Sequence, residues 1–256
     1  MKYLNLLKRS LRQVITSKLY WLSICIALIL NSMLAIESLT YVTWLLGVIS
    51  SLTLLSGLVY AISQKEFNHL DISVPDSLRK GWSKVIQVGL INILFLTLFF
   101  VLFRPVGLLL DPFIPRKHFL ALALALFLRP MLVFGMCAII INNDSVGKSA
   151  WSSFMMFWKN SLQSTAISGV FLIIQQGFLG IVILLMAIGP YHEQVVSSNG
   201  AWLPIFKILK IPNVIFWGQV LSLLIYPWVV ITFTHMYLQF VHISEYSGVS
   251  PRQEAA

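Results

Sequence analysis

An arginine and a proline, Arg129-Pro130, interrupt an otherwise apolar run from His118 to Ile141. An ionised side chain near mid-bilayer costs at least about 2.5–3.5 kcal/mol on insertion scales, so one found there points to a functional role. Proline has no amide hydrogen and crowds the carbonyl one turn back, leaving an acceptor for the guanidinium or for water. A second polar pair, Gln175-Gln176, falls at a similar depth in the run Leu162–Gly189. Arg129, Gln175 and Gln176 together would bind an anionic headgroup or a small anion between helices. Alternatively, the arginine snorkels and the glutamines tie helices together, at about 0.6 kcal/mol per contact. No carboxylate lies at that depth, which favours an anion or backbone carbonyls over an internal ion pair. Thr232, Thr234 and His235 are lesser polar candidates in the last run; a lone histidine in an apolar helix reads as a satisfied interhelical donor.

Enzyme signatures are missing. The chain has no paired histidines at zinc spacing, no phosphate-cradling glycine loop and no common nucleophile motif. His192-Glu193 is the nearest thing to a catalytic nucleus, and it reads as part of a solvated loop. Cys25 and Cys137 both fall in apolar runs and read as small hydrophobes in helix packing. The expectation is a non-enzyme with no metal and no cofactor.

The elements that must position these residues are membrane helices. The chain is 58% hydrophobic and 11% charged over 256 residues, whereas a soluble domain carries about a quarter charged residues. A helical crossing needs about 20 predominantly apolar residues. Six stretches qualify: Lys18–Ile36, Tyr41–Ser63, Val85–Phe103, His118–Ile141, Leu162–Gly189 and Val214–Val241. The first exceeds the apolar region of a cleavable signal, about 7–15 residues, and reads as a retained helix. Twelve of the 18 Lys and Arg residues fall on the side of the two termini, five fall opposite, and Arg129 lies within a span. The positive-inside rule then places both termini in the cytoplasm. The net charge of +9 thus describes a membrane-facing surface, and no soluble basic module exists to bind nucleic acid.

A short basic, serine-containing segment leads into each pair of spans. These lead-ins hold Ser10-Leu11-Arg12 with Ser17-Lys18, Ser77-Leu78-Arg79 with Ser83-Lys84, and Asp144-Ser145-Val146 with Lys148 and Trp151. Asp76-Ser77 through Trp82 parallels Asp144-Ser145 through Trp151, with one residue inserted. The predicted architecture is an all-α integral membrane protein of about six transmembrane helices, arranged as three hairpins, each preceded by an interfacial amphipathic helix. The repeat units are about 8–63, 76–141 and 144–243 within one polytopic domain, and a short cytoplasmic tail, 244–256, ends the chain. Arg79, Lys80, Trp82, Lys84, Lys148, Trp151, Trp158 and Lys159 are the expected contacts to anionic lipid headgroups, because tryptophan favours the headgroup level and basic side chains reach phosphates. In the third lead-in, Ser152, Ser153, Lys148 and Lys159 would take the wet side. Arg104 to Lys117, with Pro105, Pro112 and Pro115, reads as an ordered turn.

The run Ala121-Leu122-Ala123-Leu124 to Arg129-Pro130-Met131-Leu132-Val133, leading through Asn142-Asn143-Asp144-Ser145-Val146 into Ser149-Ala150-Trp151-Ser152-Ser153, resembles the YciC-like family of bacterial inner-membrane proteins. That family is related to the membrane domain attached to some glycerophosphodiester phosphodiesterases. The resemblance covers about residues 70–243. It implies a six-span inner-membrane protein without an assigned activity, and it carries over no catalytic residues. Three functions fit: an envelope organising or assembly factor that contacts lipid and partner membrane proteins; a transporter or permease-like subunit with a polar site at Arg129, Gln175 and Gln176; and a lipid-metabolising membrane enzyme or its companion.

Overall fold

The protein, seen here as a computed structural model, is described at residues 2–33, 40–110, 116–188 and 225–241. Every element there is helical, and no strand occurs among the described residues. Long apolar runs favour this outcome, because in hydrocarbon each backbone N–H and C=O must find its partner within the protein, and a helix supplies it locally. The helices are α1 (Lys2–Thr16), α2 (Lys18–Met33), α3 (Thr40–Phe67), α4 (Val74–Leu110) and α5 (Arg116–Ala123). A π-helical turn (Leu124–Leu128) joins α5 to α6 (Arg129–Ile141). Then come α7 (Val146–Lys159), α8 (Ser161–Ile188) and α9, residues 225–241.

Among the described residues, four stretches are long and apolar enough to cross a membrane: Leu45–Phe67, Val74–Leu108, Leu124–Ile141 and Ser161–Ile181. They correspond to the second through fifth of the six expected spans. Of the first, residues 34–36 lie outside the described residues; of the last, residues 214–224 do. The connection 190–212, with His192 and Glu193, and the tail 244–256 also lie outside them.

The chain divides into two compact units, Met1–Gly169 with Pro227–Ala256, and Val170–Tyr226. In the second, α8 carries exposed apolar side chains at Ile173, Phe178, Ile181 and Leu184. In the first, α6 is the central helix: 61% of Leu124–Ile141 is buried, against 22% of the α4 stretch. Phe134 at its middle meets Phe233, Tyr237 and Phe240 of α9, at ring-centroid distances of 5.7, 6.3 and 6.2 Å. Gly135 lets Ile91 of α4 close in, since a Cβ there would stand 2.5 Å from the Ile91 side chain.

Two sequence expectations are corrected. The second lead-in is not a separate interfacial helix: α4 runs unbroken for 37 residues, about 56 Å at 1.5 Å per residue. That exceeds a hydrocarbon core of about 30 Å, so the basic start of α4 continues the span. The segment Arg104–Leu110, expected in a turn, belongs to the same helix with Pro105 inside it. The first and third lead-ins are separate helices, broken from α2 at Ser17 and from α8 at Asn160. At the second break, the Asn160 amide donates to carbonyls of Met156, Phe157 and Trp158, and its side chain donates to Met156 at 3.0 Å.

The repeat itself is deeper than its sequence form. α3 and α6 end in the same cap, in which an amide six residues on returns to a carbonyl of the last turn. Leu70 donates to Gln64 and Asp144 to Ala138, both at 3.3 Å. The residue between turns left-handed in each, His69 at φ 54° and Asn143 at φ 57°. Ser73 and Ser145 then open α4 and α7. The structural register therefore pairs Ser73-Val74 with Ser145-Val146, one helical turn from the pairing that sequence suggests. Ser77 pairs with Ser149 and Gly81 with Ser153, and all four are buried.

These small residues are where each lead-in meets a neighbour. A Cβ on Gly81 would lie 2.2 Å from the Thr53 carbonyl oxygen, and one on Gly57 would lie 2.8 Å from that of Ser77. The start of α4 therefore packs on α3 nearly backbone to backbone. α7 packs on α6, where Ser153 donates to the Met131 carbonyl at 2.5 Å. A buried small residue also marks the contact of α1 with α9, but through side chains: Ser10 of α1 receives the Trp228 indole N–H and the Thr232 hydroxyl of α9, at 3.0 and 2.9 Å.

Candidate functional site

Residues of α1, α3, α4, α6, α7 and α9 form a polar network in two parts that share α9, within the first unit. Its first part joins α1 to α3 and α9. One guanidinium nitrogen of Arg9 donates to both oxygens of Glu66, at 2.7 and 2.6 Å. Gln13 donates to Glu66 at 3.4 Å, and its amide oxygen lies 2.6 Å from Nε2 of buried His235. With an amide oxygen as partner, His235 donates from Nε2, which leaves Nδ1 3.8 Å from Glu66. The expected role of His235, a satisfied interhelical donor, is what this geometry provides. Thr232 has one proton, and both Ser10 Oγ and the Trp228 carbonyl stand 2.9 Å away to take it.

The second part surrounds the α6–α7 corner. Asn142 donates to the Tyr237 hydroxyl at 2.7 Å, and Lys148 pairs with Asp144 at 2.9 Å. Lys84 of α4 donates to Asn143. A chain needs a left-handed residue at this corner, and asparagine tolerates that conformation better than most.

The outward side of α7 is aromatic. Trp151, Phe154 and Trp158 recur at helical spacing, exposed, with rings stacked at 6.1 Å in both steps. Ser149, Ser153 and Phe157 occupy the opposite, buried side. Ser153 was expected on the wet side; it faces α6 instead, because a small hydroxyl there can approach a carbonyl and spend its proton on it.

The expected lipid contacts separate into two groups. Trp82, Trp151, Trp158, Arg79 and Lys159 are exposed. Lys80 leans over the Tyr60 ring at 5.7 Å, Lys84 is engaged at the α6–α7 corner, and Lys148 belongs to both groups, paired with Asp144 while its side chain stays 63% exposed. Arg129 is half-buried where the π-helical turn meets α6. Its amide donates to Leu124, five residues back, and this widened turn accommodates Pro130, which has no amide to offer. Phe127 in the turn meets Phe157 of α7 at 6.1 Å. Gln175, half-buried, and Gln176, exposed, lie on α8 in the second unit. Cys25 and Cys137 are free; the second is buried, 3.6 Å from the Thr234 hydroxyl. Among the described residues no group of three or more His, Cys, Asp or Glu side chains is placed to hold a metal.

Sequence reasoning missed Ser10 as a buried anchor, and it missed Gln13, Glu66, Asn142 and Tyr237 as network members. A serine in every lead-in was the available signal for the first. Nothing in spacing ties Arg9 to Glu66, which are 57 positions apart.

The fold defines a helical membrane protein: among the described residues every element is a helix, and four helices are long and apolar enough to span a bilayer. No protein-family model, curated protein or solved structure matches the chain.

Proposed function

We propose that this is a non-enzymatic integral protein of a bacterial inner membrane, with both termini cytoplasmic, that contacts anionic lipid headgroups and partner membrane proteins as an envelope organising or assembly factor. The observation that carries the reading is the exposed Trp151, Phe154 and Trp158 row, flanked by Lys148 and Lys159, on a helix whose other side is fixed to the bundle. Half-apolar indole rings favour the headgroup level, and a basic residue near an anionic leaflet contributes about 1 kcal/mol. The topology is supported by the polar contacts: Arg9, Glu66, Lys84 and Asn143 come from segments that the charge count assigns to a single side. His235 and Tyr237, bonded to Gln13 and Asn142 of those segments, stand near the C-terminal end of the last expected span. Membership of the YciC-like family is part of the proposal and rests on the stretch that forms the π-helical turn and the α6–α7 corner.

The test is purification in native nanodiscs with lipids and proteins identified together. Anionic phospholipid is expected to be enriched over the bulk membrane. Replacing both Lys148 and Lys159 with Gln should lower that enrichment at least about fivefold. Wild-type protein carrying lipid of bulk composition would sink the reading.

One observation favours a transporter or permease-like subunit as a second reading. A π-helical turn beside an intramembrane arginine is the kind of irregularity that gathers at functional sites. Against it, the repeats run parallel, each entered from the same side, whereas many such folds are built on inverted repeats.

A further inference from the structure

Of the three lead-ins, α1 reaches its neighbour in a different way. Residues 68–73 connect α3 to the α4 that covers it, and residues 142–145 connect α6 to α7. Covalent connection thus holds those two seams together. α1 meets α9 across 218 to 222 positions of chain. It is also the polar seam. Among the described side chains of α1, Leu6 and Val14 are buried and apolar, while Ser10 and Gln13 reach Trp228, Thr232 and His235 of α9, and Arg9 beside them reaches Glu66 at the end of α3. The other two seams join small residues to backbone, where separation forfeits close packing that water does not replace. In the α1 seam, water can take over each bond on release, and the Arg9 side chain is already 56% exposed.

α1 also has somewhere else to rest. Its outward side sets Lys8 and Arg12 beside exposed Leu11 and Ile15, a basic and apolar mixture suited to a membrane surface. Ser17 alone separates it from α2 as a non-helical residue. We propose that α1 is a releasable clasp, and that the seam between the first helix and the last is where the first unit opens. Arg9, Ser10 and Gln13 form the lock; Glu66, Trp228, Thr232 and His235 form its seat.

Hydrogen exchange on the full-length protein in nanodiscs of phosphatidylethanolamine and phosphatidylglycerol tests this directly. α1 amides are expected to exchange at least about tenfold faster than those of α7, a lead-in helix of similar length whose seam is covalently connected. The Ser10 and Thr232 hydroxyls stand 2.9 Å apart, so Ser10→Cys with Thr232→Cys in a Cys25→Ser background places two sulfurs within bonding reach. Oxidation of that variant should slow α1 to the rate of α7, and reduction should restore fast exchange. Protection of α1 equal to that of α7 in the wild type would overturn the proposal. So would fast exchange that persists with the crosslink formed, because it would arise within the helix rather than by its release.

Discussion

Gly81 shows how a single absent side chain sets a helix pair. Overpacking a close contact costs about 1–3 kcal/mol, and a methyl group here would collide with the backbone of Thr53 and Gly57 rather than with a yielding side chain. Gly81→Ala is therefore expected to lower the melting temperature in detergent clearly. Gly89→Ala provides the contrast, since its new Cβ would meet Leu52 at an ordinary 3.7 Å; it should leave stability unchanged or raise it by about 0.4–1 kcal/mol through the unfolded chain. Equal losses in the two variants would contradict backbone-to-backbone packing at Gly81. The sequence shows both glycines in apolar or interfacial surroundings. It does not show which of them faces a carbonyl, because that depends on a helix about 24 to 28 positions away.

Among elements, the lead-ins differ in continuity. α7 is cut from α8 at Asn160, whose side chain competes for the backbone carbonyls of the last turn. Such a bond does not suffice by itself: Asn92 makes the same contact with the Val88 carbonyl inside α4, at 2.8 Å, and that helix continues. The π-helical turn lies directly before Arg129-Pro130 and accommodates the missing proline amide, and the Arg-Pro pair marked the place in the sequence. Whether the turn serves a polar site is tested by Arg129→Leu. Under the polar-site reading, the variant should insert normally, because it removes a charge that costs at least about 2.5–3.5 kcal/mol to insert. It should also lose any rise in melting temperature that millimolar inorganic phosphate gives the wild type. A melting temperature that falls without phosphate would assign Arg129 a structural role.

At the scale of the molecule, polar contacts through α9 link α1, the end of α3, Lys84 of α4 and the α6–α7 corner. The charged residues of those four segments fall on the side that the count of basic residues assigns to the cytoplasm. Gly147 has open space around the position of a Cβ, and Asp71 is exposed. Single cysteines at these positions, in a Cys25→Ser background, should react with an impermeant thiol reagent in inverted vesicles and stay unlabelled in intact spheroplasts. Labelling from outside at either position would reverse the orientation.

The sequence by itself determined that the chain is helical, that it belongs in a membrane, where most of its spans lie and that its lead-ins repeat. Those properties come from apolar run length and charge position, which are local along the chain. Only the tertiary structure decided which side of each lead-in turns inward, that the repeat register shifts by one helical turn, and that α1 closes on α9. A serine or glycine is equally compatible with lipid, water or a neighbouring helix; its role is set by which carbonyl or hydroxyl comes within reach, and contacts across some 220 positions leave no periodic trace in the chain. The polar residues illustrate the division. Arg129 was conspicuous because it is costly where it stands, whereas Ser10 and Glu66 were inconspicuous until the fold supplied their partners.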